Sequence, residues 1–405
     1  MMEWFTDDIG IAEKAAEMGL CDRCLGRLFG KLGTGMTNDQ RGQQIRKMLA
    51  DSGVTSVSPG SCSLCEDVFD MLDRFAEAVA EKVDEVESDN FLVGTRIDPA
   101  LASKEKEMWE TLGAENSESL KAELNREIGK RVFPIIGRRV EFKNPQVVAC
   151  IDTQFADVSL DIAPIFIYGR YTKMSREIPQ TIWPCRVCKG KGCDRCHGTG
   201  KMYQTSVQEV IGDLALEMSG GDEHFFHGMG REDIDARMLG EGRPFVLEIS
   251  SPRIRDIDLD ALEAKANRSE LAGFNSLRFV SREMVQKVKL AEPSKTYKVK
   301  VTADGKVNKE RVVEVSLSFK DMSIDQRTPA RVEHRRADLV RVRKIHWVKA
   351  ENVDEDGFEL ILKTESGTYV KEFVSGDNGR SIPSFSDALG IQCKVETLDV
   401  LSIDE

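Results

Sequence analysis

Apolar and small side chains recur every three or four positions over the first fifty residues, a spacing that predicts helices. "DDIGIAEKAAEMGL" opens acidic and continues amphipathic. "TNDQRGQQIRKMLADSG" carries an N-cap signal at Thr37-Asn38 and a stop at Gly53. A longer helix follows in "CEDVFDMLDRFAEAVAEKVDEVESDNFLVG", where Phe69, Leu72, Phe75, Val79 and Val83 form one stripe. It leads into a strand, "NFLVGTRI". "ESLKAELNREIGKRV" is again helical, and "QVVACIDTQF" and "VSLDIAPIFIYGRYTKMS" are strand-like runs. The alternation from about residue 50 to 175 predicts an α/β unit.

Beyond residue 200 the period changes. "TSVQEVIGDLALEMSGG" reads as one helix closed by paired glycines. "RPFVLEISS", "KTYKVKVTADG" and "HWVKAENVDEDGFELILKTESGTYVKEF" read as strands, the last a hairpin turning at Asp356-Gly357. The C-terminal half is therefore expected to be α+β, with loops at its strand ends. At 405 residues the chain is too long for one ordinary core, so two or three domains are expected. The cysteine- and glycine-rich stretch 183–200 is the expected boundary.

No run of about eighteen apolar residues occurs, so no membrane span is expected. The acidic, amphipathic start argues against a signal or transit peptide, which predicts a cytoplasmic address. The net charge of −12 gives no hint of nucleic acid. Partners feel local patches, however, and two stand out: "REIGKRVFPIIGRR" (126–139) and "RTPARVEHRRADLVRVRKIHWVK" (327–349). Both mix bases with apolar residues at alternating spacing, as on strands with one wet basic face. Each is either such a face for RNA, with Arg335 and Arg336 as phosphate contacts, or a solvated charged edge.

Ten cysteines change the picture further, because eight form four CxxC pairs. Cys21 and Cys24 pair, as do Cys62 and Cys65; Cys185, Cys188, Cys193 and Cys196 fall within "CRVCKGKGCDRC". Two thiolates from one turn and two from another fill a tetrahedral ion completely, which predicts structural zinc, one or two ions, and no catalytic metal. Cys150 and Cys393 are expected as buried structural thiols. "CDRCHGTG" copies the zinc repeat of DnaJ-type chaperones, but only one full repeat is present and no "HPD" occurs.

The remaining chemistry gathers around "HGMGREDIDARMLGEGRPF" (227–245), which has four glycines, three arginines and four carboxylates. No phosphate-binding glycine loop is present, which argues against a nucleotide cofactor. Asp233 stands on a turn, Tyr297 in the strand "KTYKV", and Tyr369 and Lys371 at a strand-to-helix junction in "SGTYVKEF". A carboxylate beside a cation serves as nucleophile, an aromatic ring stacks on a nucleobase, and Arg231 and Arg243 are candidates for phosphate. Asp235 is the nearest rival to Asp233. His224 and His227 lack further metal ligands and read as loop or RNA-facing residues.

"HGMGREDIDARMLGEGRPFVLEI" resembles the Gly-Arg-x-Asp loop of pseudouridine synthases, and "SGTYVKEFVSGDNGRSIPS" their later Gly-Thr-Tyr motif. With the CxxC-rich first half, the whole chain is similar to the archaeal-type tRNA pseudouridine synthases of the Pus-ten class. The resemblance implies a zinc-containing, THUMP-like α/β module. It further implies a synthase domain built on a mixed or antiparallel sheet flanked by helices. The expected boundaries are an RNA-binding region at 1–180 (THUMP-like over about 50–175), a zinc knuckle at 181–200 and the catalytic domain at 201–405. The implied activity is cofactor-free isomerisation of uridine at positions 54 and 55 of the tRNA T-arm by a monomer. In it Asp233 is the nucleophile, Tyr297 and Tyr369 contact substrate, and Lys371 stands where many synthases pair an arginine with the aspartate. A THUMP-bearing methyltransferase or thiolase would need a cofactor or P-loop motif. A non-enzymatic zinc RNA-binding protein would not need the Asp–Tyr–Tyr–Lys set.

Overall fold

The computed structural model describes residues 9–113 and 115–404, except the side chain of Arg335. Asp7-Asp8, read as the first helix's acidic start, lie outside the described residues, as does the Arg335 side chain proposed for phosphate. Among the described residues no helix is long and apolar enough to cross a membrane. The chain divides into two compact units, 1–163 and 164–405.

In the first unit, the Thr37 hydroxyl and the Gln40 side chain cap the helix Asn38–Asp51 reciprocally, as its N-cap signal predicts. The stripe of Leu72, Phe75, Val79 and Val83 faces inward on the helix Leu72–Asp84. This helix packs against the helix Leu120–Ile136 and against a four-stranded sheet. The sheet's strands are β1 (Asn90–Arg96), β2 (Arg139–Val140), β3 (Val147–Asp152) and β4 (Asp157–Ile162), in the order β2-β1-β3-β4. β1 runs parallel to β2 and β3, while β3 and β4 are antiparallel.

The basic segment 126–139 is mostly helix, not a basic strand. Leu120, Leu124, Ile128 and Val132 recur every four residues and are all buried, so the helical period prevails over the apparent alternation. Its charge is committed locally. Arg126 pairs with Glu118, Lys130 with Glu127, Arg131 with Asp73 and Arg138 with Asp84.

The second unit is built on one ten-stranded sheet. Its strands are β5 (Ile165–Lys173), β6 (His224–Gly228), β7 (Arg237–Ile249), β8 (Ala272–Val280), β9 (Lys295–Ala303), β10 (Met322–Arg327), β11 (Val340–Glu351), β12 (Gly357–Thr364), β13 (Ser381–Ile382) and β14 (Cys393–Ile403). The order is β13-β10-β11-β12-β9-β14-β7-β5-β8, with β6 also on β7. β11 and β12 form the hairpin predicted at Asp356-Gly357. The sheet is mixed through one junction, where β14 meets β7 in parallel and β9 in antiparallel fashion.

The division at 163/164 lies ahead of the boundary expected near residue 180. "VSLDIAPIFIYGRYTKMS" reads as one run, but Pro164 has no amide hydrogen to continue a ladder. β4 therefore ends in the first sheet, and β5 lies between β7 and β8 in the second. The expected loop residues His224 and His227 lie on β6. His224 Nε2 is 3.0 Å from Asp213 and His227 Nε2 is 2.8 Å from Glu248, so neither is a free RNA-facing group.

Candidate active site and cysteine clusters

Asp233 lies on the connection between β6 and β7, where its carbonyl accepts the Ala236 amide at 3.1 Å and closes a turn. The turn rests on buried polar groups. The Lys173 ammonium, fully enclosed, donates to the carbonyls of Ile178 (3.1 Å), Asp233 (3.3 Å) and Ile234 (2.7 Å). Burial holds the Lys173 pKa below the ordinary lysine value. Beside it, Glu232 turns inward and meets Arg243 Nε at 2.9 Å and the Tyr171 hydroxyl, which donates to it at 2.8 Å. Gln180 Nε2 donates to the Tyr171 hydroxyl at 2.7 Å and to the Gly230 carbonyl at 3.0 Å. Carboxylates 232 and 233 thus point to opposite sides of the loop, one as a buried brace and one into a cleft.

Arg243, expected as a phosphate ligand, is part of that brace. It is 1% exposed, forms an ion pair with Glu232, and donates from Nη1 to the Met229 carbonyl at 2.8 Å. The loop's glycines serve packing in the same way. At Gly230, φ is +75°, and a β-carbon would stand 3.2 Å from Lys295 Nζ and 3.3 Å from Arg243 Nη1. At Gly242 it would stand 2.6 Å from the Tyr171 carbonyl oxygen.

The cleft above Asp233 has a volume of about 550 Å³. Its walls carry Arg231, Lys295, Tyr297, Arg331, Arg336, Tyr369 and Lys371, with Leu398 and Val400 of β14 also lining it. The structure therefore brings all six residues expected at the site to one cleft, with Arg243 buried at its base. Asp233 is 41% exposed, and its nearest cation is Arg331, whose Nη1 is 3.2 Å from Oδ2. Arg331 is itself held by Glu372 at 2.7 Å. Lys371 lies 3.6 Å from Asp233 but only 2.8 Å from Asp235, so its first partner is Asp235. Burial works against the Asp235 charge, yet the Lys371 ammonium outweighs it and holds that carboxyl below the usual range.

Tyr297 is 9% exposed on β9, and burial, with Asp233 nearby, pushes its pKa up to about 12. Lys295, two residues earlier and on the same face, is pulled down to about 8 by burial and by Arg243. Tyr369 caps the helix Val370–Ser375. Its amide donates to Gln326 Oε1 at 2.9 Å, its carbonyl accepts from Gln326 Nε2 at 3.0 Å, and its hydroxyl accepts from Arg336 at 3.1 Å. Arg331 and Lys295 were not anticipated as site residues. Period-2 parity with Tyr297 would have pointed to Lys295. Arg331 carries no local signal, being about a hundred residues from the aspartate it meets.

This arrangement can be set beside known proteins. A family model described as Pus10, C-terminal, matches residues 166–404, and one described as the archaeal Pus10 THUMP domain matches residues 75–152. The chain belongs to the Pus10 family. The tRNA pseudouridine synthase Pus10 of Methanothermobacter marburgensis is 44% identical, covering 95% of each chain. That of Methanothrix thermoacetophila is 38% identical, covering 98% of this chain and 95% of the relative. Among solved structures, a chain of a Cbf5-Nop10-Gar1 complex matches at a TM-score of 0.31 and 16% identity, over 49% of this chain and 45% of that one. That likeness is too slight to carry an argument.

Within the Pus10 THUMP match lie β1, β2 and β3 of the first sheet, with β4 beyond it, while the C-terminal match runs from the second residue of β5 through β14 and takes in the whole cleft. The eight paired cysteines gather as two groups, Cys21/Cys24/Cys62/Cys65 and Cys185/Cys188/Cys193/Cys196. In each group the sulfurs lie within 4.8 Å of one another. The closest recorded approaches are 3.9 Å for Cys21–Cys65 and 3.7 Å for Cys193–Cys196. A tetrahedron of metal–sulfur bonds of about 2.3 Å has edges of about 3.8 Å, so both donor sets fit one ion each. Backbone amides point at the sulfurs, as the Gly200 amide does toward Cys196 at 3.2 Å, which offsets thiolate charge.

Proposed function

We propose that this chain isomerises uridine to pseudouridine at positions 54 and 55 of the tRNA T-arm, with Asp233 as nucleophile and no cofactor in the chemical step. The observation that carries this reading is a solvent-reachable carboxylate held between Arg331 and Lys371, in a cleft that also contains a buried tyrosine. Family membership supplies the reaction class.

The target uridine leaves its stack and enters the cleft. Asp233 attacks C6 of the base or C1′ of the sugar, or assists glycal formation. The C1′–N1 bond breaks, the uracil turns while held, and a C1′–C5 bond forms; C5 loses a proton and N1 gains one. Product and substrate have the same composition, so no co-reactant is needed. Tyr297 stacks on the base, and its raised pKa keeps the hydroxyl protonated at neutral pH. Tyr369 and Lys371 contact the substrate, and Arg231 holds backbone phosphate. The first unit captures tRNA, the two cysteine groups hold structural zinc, and the enzyme works as a cytoplasmic monomer.

The decisive assay incubates purified protein with unmodified tRNA transcript, without added cofactor, and maps pseudouridine. Product at positions 54 and 55 is expected, and Asp233→Asn should lower the rate by roughly a thousandfold or more. Absence of T-loop product from the wild type overturns the reading. Product formed at full rate by Asp233→Asn removes the aspartate from its role.

A further inference from the structure

A second cleft, of about 270 Å³, lies on the other side of the catalytic loop, and the reaction described above does not use it. Arg231, Glu232 and Asp233 line both clefts, so the loop is the wall between them. The far side carries Trp183 and Tyr203, whose rings meet edge to face with centroids 5.7 Å apart. These two residues flank the second cysteine group. Pro184 bridges to Lys201, the Met202 amide donates to the Trp183 carbonyl at 2.9 Å, and the Cys185 amide donates to the Gly200 carbonyl at 2.7 Å. The knuckle is thus a clasp that fixes two aromatic rings at the point where the chain enters and leaves it.

Arg231 completes the surface. Its guanidinium stacks on Trp183, 5.2 Å from the ring centroid. Among the described residues it makes no ion pair or hydrogen bond, although Asp233 and Asp235 share the same cleft. Its five donors and its outer plane are therefore available. The two half-buried rings stand nearly perpendicular, at 82°, so together with the unpaired guanidinium they form an angled recess with aromatic walls and one cationic wall. Bases stack on such planes, and an unpaired arginine matches a base edge or the adjoining phosphate.

We infer that this cleft takes the unpaired nucleobase next to the target uridine, its face on one wall of the Trp183–Tyr203–Arg231 recess and its edge toward another, while the target lies on the Asp233 side. This rests on the pseudouridine synthase reading for the identity of the RNA. The two occupants would straddle the catalytic loop, so binding the neighbour draws the target nucleotide over Asp233. The cysteine knuckle then acts on substrate through the rings it positions.

The test uses full-length protein and T-arm stem-loop RNAs carrying 2-aminopurine immediately 5′ or 3′ of the target uridine. Stacking quenches this base, so the wild type should quench one of the two RNAs. Trp183→Ala and Tyr203→Leu should lose that quench and raise KM roughly ten- to a hundredfold, with kcat within about twofold. Trp183→Phe should retain most of both. Metal content measured on each variant distinguishes a lost recess from a broken knuckle. Unchanged quenching and KM in Trp183→Ala and Tyr203→Leu overturn the inference, as does a wild type that quenches neither RNA. The fluorescence does not depend on turnover. A wild type that quenches but makes no pseudouridine therefore defeats the reaction and leaves the subsite standing.

Discussion

The residues around Asp233 divide its surroundings into two pairs, Asp233–Arg331 and Asp235–Lys371. Asp235 was the nearest rival to Asp233 by position, yet its carboxylate is engaged by an ammonium at 2.8 Å. Asp235→Asn should therefore keep activity within about tenfold of wild type, where Asp233→Asn does not. Equal losses in a single-turnover assay would contradict this division of roles. Lys295 is a partly buried cation in the cleft, pulled down to about 8 from an ordinary 10.5. Below pH 8 it is charged in both the folded and unfolded chain. Between about 8 and 10.5 the folded pocket sheds the proton first, so its burden on stability is relieved as pH rises through that window. Lys295→Met should stabilise the protein at pH 7 by on the order of 1–3 kcal/mol, with the gain shrinking toward pH 10. Melting temperatures across that range check the sign.

Among the elements, the loop that carries Asp233 is held from below by buried polar groups. Tyr171 shares its hydroxyl between Glu232 and Gln180, and its ring packs at 5.6 Å on Phe226, which stacks on Phe245 at 4.6 Å. Removing the hydroxyl in Tyr171→Phe takes one hydrogen bond each from buried Glu232 and Gln180, which keep only Arg243 and the Gly230 carbonyl respectively, at a cost of about 1–3 kcal/mol. The expected result is a lower melting temperature together with a fall in kcat. Unaltered kcat would mean that the brace does not position Asp233. These elements also show what the chain's pattern makes legible. Helices with clear stripes and signals, such as 72–84 and 38–51, follow from local periodicity and capping. So does the β11–β12 hairpin, because its turn chemistry is local. β5 was assigned to the wrong unit because an unbroken apolar run does not reveal which sheet it joins. Asp233, Tyr297, Tyr369 and Lys371, singled out by their motifs, do converge on one cleft. The inward role of Arg243 was not legible, since nothing near it in the chain marks Glu232 as buried.

For the whole molecule, a net charge of −12 coexists with a cationic cleft, because acids elsewhere outnumber bases while 327–349 supplies Arg331 and Arg336 to one wall. Arg336→Ala should weaken tRNA binding and reduce the slope of log affinity against log salt by about one, the signature of one lost phosphate contact. An unchanged slope would return that arginine to the role of tyrosine brace alone. Metal analysis should find two zinc ions per chain. The two sites should respond differently to a chelator, since the first ties segments about forty residues apart and the second closes a span of a dozen residues. Loss of the first ion should release helical signal by circular dichroism, whereas loss of the second should remove little of it.

The place of β14 has a consequence for how the enzyme comes into being. This strand, the last in the sheet to be synthesised, lies between β9 and β7, joining the half that carries Tyr297 and Lys371 to the half that carries Asp233. While the ribosome is still adding these residues, the two halves of the cleft have no ladder between them. A nascent chain can therefore complete its first unit well before the cleft is closed. A message cut short ahead of Cys393 would yield a chain whose first unit can fold but whose cleft halves share no ladder.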